Sequence, residues 1–201
     1  MNDTPSTTSQ AILGLLSLRP WSTYELTKQA QRSLEWFWPR AERKLYDEPK
    51  RLVAAGLASS EREMTGARPR TVYTVTRKGR TALRRWLGEP PQPPTLEFEG
   101  MVKVFFADGG SLEQLRGTLT AIAETAEERL VELGEKADEN ERGDVAFPER
   151  LHLNAIGLRF HLDHERCIAT WARWALEQTE AWVSTVDPGP WDHRRAYARG
   201  R

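Results

Sequence analysis

The chain alternates between two hydrophobic periods, and the switch between them sets out its elements. Ala11, Ile12, Leu15, Leu16 and Leu18 recur at helical spacing and predict a first helix. It ends at Arg19-Pro20, because the residue before a proline avoids the helical region. Ser22-Thr23-Tyr24-Glu25 then reads as a capping box, with Trp21 and Leu26 at the positions of a hydrophobic staple, opening a second helix that runs to about Ser33. A third helix is predicted from Pro39, a favourable first-turn residue, with Ala41, Leu45, Leu52, Val53 and Leu57 turned inward and Gly56 as its stop. Pro49 inside this segment predicts a kink or break near Asp47–Pro49, at a cost of about 3 kcal/mol. The period then shortens to two. Leu57–Glu63 and Thr71–Val75 read as strands, joined by a loop, MTGARPR, that carries Arg68 and Arg70. Thr76 to Leu87 returns to helix, with Ala82, Leu83, Trp86 and Leu87 on its apolar side.

The second half is helical throughout. After Leu96, Val102, Val104, Phe105 and Phe106, a helix starts at Ser111 with apolar positions at Leu112, Leu115, Leu119, Ile122, Ala126 and Leu130. A loop is predicted over Gly134–Phe147. From Pro148 a last helix is predicted to about Val183, with Leu151, Leu158, Leu162, Ala169, Ala172 and Leu176 on one stripe. At 36 residues it would span about 54 Å. A helix of that length needs a partner surface, so these six residues are predicted to dimerise in coiled-coil fashion.

Composition changes the picture mainly through charge. The 201 residues carry 29 basic and 29 acidic groups, a formal net charge of zero. Residues 1–90, however, carry 16 basic and 9 acidic groups, residues 91–186 carry 9 and 18, and residues 187–201 carry 4 and 2. The zero is thus a +7 half beside a −9 half, the pattern of an anion-binding module joined to an acidic one. The sign changes at a proline run, Pro90, Pro91, Pro93 and Pro94, which reads as a semi-rigid spacer. The predicted organisation is a flexible N-terminus over 1–10, a first domain over 11–90, a helical domain over 91–186 and a flexible tail over 187–201. There is no apolar run near 18 residues, no secretory leader in residues 1–10, and a single cysteine, Cys167. These predict a cytoplasmic protein without a membrane span.

Three helices followed by a two-stranded hairpin with basic residues is the order of a winged helix-turn-helix. In that fold one helix enters the DNA major groove and the preceding one braces it. The fold class is therefore mainly α with a small β-hairpin, a winged helix-turn-helix domain plus an α-helical C-terminal dimerisation domain. Arg40, Arg43, Lys44 and Lys50 are the outward cations of the reading helix. Arg can bridge guanine acceptors or phosphate, and Lys acts as a point charge. Thr23, Tyr24 and Tyr46 are candidates for phosphate contact, and Arg68 and Arg70 for contact from the wing. The plainer reading, ordinary solvated charge, fits any one of these residues better than it fits the cluster.

The same segments resemble the N-terminal domain of the PadR family of transcriptional regulators. The similarity lies in Leu13–Leu16, Tyr24-Glu25-Leu26, Leu45-Tyr46, Arg51-Leu52, Gly56-Leu57, Arg70, Tyr73, Thr76 and Gly79. It covers about residues 9–88, and the second half is similar to the helical C-terminal domain of longer family members in length and helicity. The resemblance implies a cytoplasmic homodimeric repressor of a two-fold symmetric operator, often released by a small molecule. The chain departs from the family pattern at Asp47, where proline is common, and at Pro49, where leucine is common.

Eight tryptophans are many for this length. Trp36, Trp38, Phe160, Trp171 and Trp174 are candidates for an aromatic effector site, against the plainer reading that they only pack. His161 and Glu165, four apart and near Asp163 and His164, can share a helix face, but two ligands and no HExxH make a weak metal site. They read more simply as a polar helix surface, and Cys167 as a small core residue. No phosphate loop and no nucleophile motif is present, so no metal, no cofactor and no enzyme is expected. A winged-helix interaction scaffold without DNA binding stands as the alternative. Asp47-Glu48 would favour it if both carboxylates were exposed beside the reading surface.

Overall fold

The computed structural model describes residues 5–34, 42–65, 68–143 and 145–197, with the side chains of 42–44, 65, 68 and 195 outside that description. The chain divides after Pro93 into two units. The division falls inside the proline run, three residues beyond the predicted boundary at residue 90.

The first unit runs α1 (Thr7–Leu18), β1 (Trp21–Ser22), α2 (Thr23–Leu34), α3 (Glu42–Ala54), β2 (Ala58–Thr65), β3 (Arg68–Val75) and α4 (Arg77–Leu87). The segment expected as a flexible N-terminus over 1–10 includes the start of α1. Ser6 caps α1 through Ser9 N, residues 7–10 are helical, and Ser9 and Gln10 are buried. The core is built from Ile12, Leu13, Leu16 and Leu26, all fully buried, with Trp21, Leu45, Leu52, Val72 and Val75 around them. Trp21 donates its indole N–H to the Leu15 carbonyl at 2.8 Å and carries the Arg19 guanidinium 3.5 Å over its ring.

The sheet is antiparallel in the order β1-β3-β2. Trp21 and Ser22 pair with Tyr73 and Val72, which makes a third strand that the sequence pattern did not predict. The register of β2 and β3 runs from Ala58↔Val75 to Thr65↔Arg68. The hairpin is therefore longer than expected, and Arg68 and Arg70 lie in strand β3 rather than in a loop.

The helix break expected near Pro49 does not occur. Helix α3 is continuous from Glu42 to Ala54 with Pro49 inside it. Leu45, Glu48, Pro49 and Leu52 form its buried face, and Pro49 is among the fully buried side chains. Burial of the ring in the core offsets the lost backbone hydrogen bond. Gly56, at φ +69°, closes the helix.

Thr76 caps α4 through Gly79 N at 3.1 Å and donates to the Gly56 carbonyl at 2.8 Å. Gly79 permits this close fit, since a Cβ there would stand 2.0 Å from the Leu57 carbonyl oxygen.

The second unit holds α5 (Glu99–Phe105), α6 (Leu112–Arg142) and α7 (Leu151–Thr179). Ser111 and Gln114 form a full capping box at the start of α6. The loop predicted from Gly134 starts nine residues later, because α6 continues to Arg142 and is stopped by Gly143 at φ +77°. Helices α6 and α7, of 31 and 29 residues, pack antiparallel, with Ile122, Ala123 and Ala172 as a buried cluster between them. Helix α7 stops at Thr179, short of Val183. The Arg116 side chain donates to the carbonyls of Thr179 and Glu180, and the chain then reverses, with the amides of Val183 and Ser184 both bonded to the Asp187 carbonyl. The segment expected as a flexible tail from Asp187 makes tertiary contacts. Trp191 donates to Gln178 at 3.1 Å and stacks edge-on against Trp182, ring centroids 5.3 Å apart.

Replacing Gly79 with Ala is expected to destabilise the first unit by about 1–3 kcal/mol, because a backbone carbonyl rather than a flexible side chain must move. Urea unfolding of the variant against the natural chain measures this.

Candidate nucleic-acid interface

The second helix begins where the sheet ends, and one residue serves both. Ser22 pairs with Val72 and also caps α2. Its backbone N–H donates to Glu25 Oε2 at 2.9 Å, its hydroxyl donates to the same oxygen at 2.6 Å, and its Oγ accepts from the Glu25 amide at 3.3 Å. The capping box thus forms as its sequence predicts. These hydrogen bonds from Ser22, ahead of the nearby Arg19 and Arg70 charges, hold the Glu25 carboxyl below the usual carboxylate range. The two arginines stand 3.7 and 3.9 Å from Glu25. Arg70 also pairs with Glu63 across the hairpin at 3.0 Å. Glu25 therefore ties the wing strand to the start of α2, a role the sequence pattern did not assign to it.

Tyr24, the second residue of α2, is 66% exposed, and Thr23 beside it is half-buried. On α3, Tyr46 is half-buried and Lys50 is exposed, 3.6 Å from Asp47. Arg40 lies outside the described residues, and so do the side chains of Arg43, Lys44 and Arg68. Glu48 points inward: its side chain is 7% exposed, it accepts a hydrogen bond from Ser9 Oγ, and Arg51 stands 3.7 Å away. A buried carboxylate needs such partners. The carboxylate pair that favoured the scaffold reading is therefore reduced to Asp47, which Lys50 faces.

The second unit rearranges the predicted aromatic and dimerisation residues. The stripe of Leu151, Leu158, Leu162, Ala169, Ala172 and Leu176 faces α6 within the same chain. Ala169 and Ala172 are buried there and the four leucines are half-buried, so this stripe is spent on the helix hairpin. A second stripe, Leu153, Ile156, Phe160, Cys167 and Trp174, lies on another face of α7 and is exposed. Its spacing of 3, 4, 7 and 7 is a heptad pattern. Cys167 is thus a surface residue and not a core one. The overlap of two apolar stripes in one helix hid the second from sequence reading.

Phe160, with its ring 6.0 Å from His164, lies 11 residues from Trp171, about 16 Å along the helix axis. Trp171 packs beside Ile122 and Ala172. The structure does not gather Phe160, Trp171 and Trp174 into one site within a chain, and Trp36 and Trp38 lie outside the described residues. His161 and Glu165, expected on a polar surface, are both buried against α6. Glu165 faces Arg129 at 3.4 Å, and burial, ahead of His164, pushes the His161 pKa down. Among the described residues no group of three or more metal-capable side chains forms, and no described helix is long and apolar enough to cross a membrane.

A four-helix unit with a three-stranded sheet and hairpin wing, a basic exposed edge and a separate helical unit defines the winged-helix DNA-binding regulators as a class. Comparison narrows the class. The Transcriptional regulator PadR-like family model matches residues 12–85, and the Virulence activator alpha C-term model matches residues 99–180. Residues 12–85 thus match the PadR-like family of transcriptional regulators. The Negative transcriptional regulator PadR of Bacillus subtilis (strain 168) is 33% identical over 98 residues, which are 48% of this chain and 54% of that protein, so the match spans about half its length.

Among solved structures, B. subtilis PadR in complex with operator DNA aligns with a TM-score of 0.74 at 24% identity, over 86% of this chain and 98% of that one. The same protein in complex with p-coumaric acid aligns at 0.68 and 24%, over 86% and 98%. The Vibrio cholerae virulence activator AphA aligns at 0.69 and 24%, over 87% and 99%. At this identity the likeness speaks for the fold.

Glu25 has a folded pKa below 4.5, so its stabilisation is complete above that value and is lost as pH falls through the folded pKa. Glu25→Gln keeps an acceptor for the cap and removes the charge. Thermal unfolding from pH 5 downward is expected to fall less steeply in this variant than in the natural chain.

Proposed function

We propose that this transcriptional regulator is a homodimeric, cytoplasmic repressor that reads a two-fold symmetric DNA operator with α3 and is released by a small aromatic effector. The observation that carries the reading is the α3 geometry. Leu45, Glu48, Pro49 and Leu52 are buried against the domain. That leaves the side of α3 carrying Tyr46, Asp47 and Lys50 turned outward, and Arg43 shares it by helical spacing. On this reading α3 lies in the major groove with Lys44, Thr23 and Tyr24 stand at the phosphates, Arg70 and Arg68 reach them from the wing, and Arg40, ahead of α3 in the chain, adds a further cation. Cations that neutralise phosphates release counterions, which supplies much of the affinity. That B. subtilis PadR was solved on operator DNA and with p-coumaric acid supports both ligand classes for this chain.

Dimerisation is assigned to the exposed α7 stripe of Leu153, Ile156, Phe160 and Trp174, joined by the exposed Phe105 at the end of α5 and Phe106 just after it. A second copy is the natural cover for so much exposed apolar surface. The aromatic effector is then placed where Phe160 and Trp174 of two copies come together, which would supply the enclosure that a single chain lacks. The rival, a scaffold without DNA binding, loses its support with the burial of Glu48.

Affinity for duplexes selected from a random pool, measured against salt, is expected to give a steep negative log–log slope, and a flat dependence would exclude DNA reading. Lys44→Ala is expected to weaken binding with thermal stability unchanged. For the dimer, Ile156→Asp is expected to sediment as a folded monomer. A dimer that persists would remove the α7 stripe from the interface.

A further inference from the structure

The cations of the first unit are not equally available. Lys50 stands 3.6 Å from Asp47, Arg51 3.7 Å from Glu48, and Arg70 between Glu63 and Glu25. Helix α4 is different. Arg77, Lys78, Arg80, Arg84 and Arg85 are five of its eleven residues; all are exposed and the helix holds no acid. By helical spacing they fill an arc of about 160°, opposite the Gly79, Ala82 and Trp86 side.

Two of the five are tied to helix ends. Lys78 donates to the Ala55 carbonyl at the end of α3 at 2.9 Å, and Arg80 to the Ser17 carbonyl at the end of α1 at 3.3 Å. Among the described residues Arg77, Arg84 and Arg85 have no carboxylate partner. Like charges three, four and seven residues apart on one helix face repel. A fold that leaves them there keeps a surface for an anion.

We propose that the α4 face binds DNA phosphates beyond the base pairs covered by α3, as a second backbone contact of the same domain. The inference rests on the operator-reading function. Two features favour duplex DNA as the partner. The arc starts at the carboxyl end of α3, where Lys78 and Thr76 hold Ala55 and Gly56, so it continues the reading helix outward. Arg77 to Arg85 also spans about 12 Å of helix axis. A DNA strand presents about three phosphates over that distance, one for each free arginine. Among the described side chains, Arg70 of the hairpin and Lys50 on the outward side of α3 each face a carboxylate.

The test uses the full chain and a duplex selected from a random-sequence pool, prepared in two lengths. One is trimmed to the shortest fragment that retains binding, and the other is extended by about 10 base pairs, one helical turn, on each side. For the natural chain the longer duplex is expected to show the steeper salt dependence. In Arg77→Gln/Arg84→Gln/Arg85→Gln the slope on the longer duplex is expected to fall by about 2.7 per protomer, at about 0.9 for each phosphate that is no longer neutralised. The slope on the short duplex and the melting temperature stay unchanged. Single Arg→Gln variants each give about a third of the effect, which keeps the test intact if the triple variant folds poorly. Equal slopes for natural chain and variant on the longer duplex would overturn the proposal, as would an equally large drop on the short one. Failure of the natural chain to bind any duplex would overturn the operator reading instead.

Discussion

Everything the first unit presents to the outside depends on how α3 is seated. Its inward face is Leu45, Glu48, Pro49 and Leu52, three apolar side chains and one carboxylate. The carboxylate is tolerated because Ser9 donates to it and Arg51 stands nearby. That contact pulls the start of α1 into the fold and fixes the rotation of α3. Once the rotation is fixed, Lys50 and Asp47 lie outward and Glu48 does not. One buried hydrogen bond thus keeps the Glu48 carboxylate off the outward side of α3.

Around this seat, the capping box of α2 does more than start a helix. Ser22 belongs to the sheet, Glu25 to the cap, and Arg70 to the wing, and a single carboxylate joins the three. Charge-assisted contacts add to the apolar packing of Val72 and Val75 in holding the wing to the helix before α3. Such half-exposed pairs are weak individually and geometrically specific together. They also explain why the surplus positive charge of the unit gathers on α4 and not at Arg70 of the hairpin.

The second unit shows one helix serving two surfaces. Helix α7 spends its Leu151–Leu176 stripe on α6 and still carries an apolar heptad at Leu153, Ile156, Phe160, Cys167 and Trp174. The acidic balance of this half fits a solvated surface around such a stripe. Arg116 closes the hairpin at the far end by taking up the last carbonyls of α7, which ends the helix where backbone acceptors would otherwise be orphaned.

Sequence alone determined the order of elements apart from β1, the cap at Ser22, the helix starts near Thr76 and Ser111, the stop at Gly56 and the charge asymmetry. All of these are local, decided by residues within a few positions of one another or by simple sums. Local reasoning misjudged Pro49, because the cost of a proline in a helix is local while the compensation, a ring buried in the core, comes from α1 and α2. It did not show that the Leu151–Leu176 stripe packs half-buried within the chain, because periodicity shows that a face is apolar but not which neighbour covers it. It counted Arg70 as free charge because its partners, Glu63 across the hairpin and Glu25 on α2, come near only once the strands pair. The unpartnered charge of α4 was in the sequence as RKGRTALRR. Only the tertiary structure showed that this face stays exposed while Arg70 found carboxylates on β2 and α2, since such pairing depends on distances between elements that no short window of sequence contains.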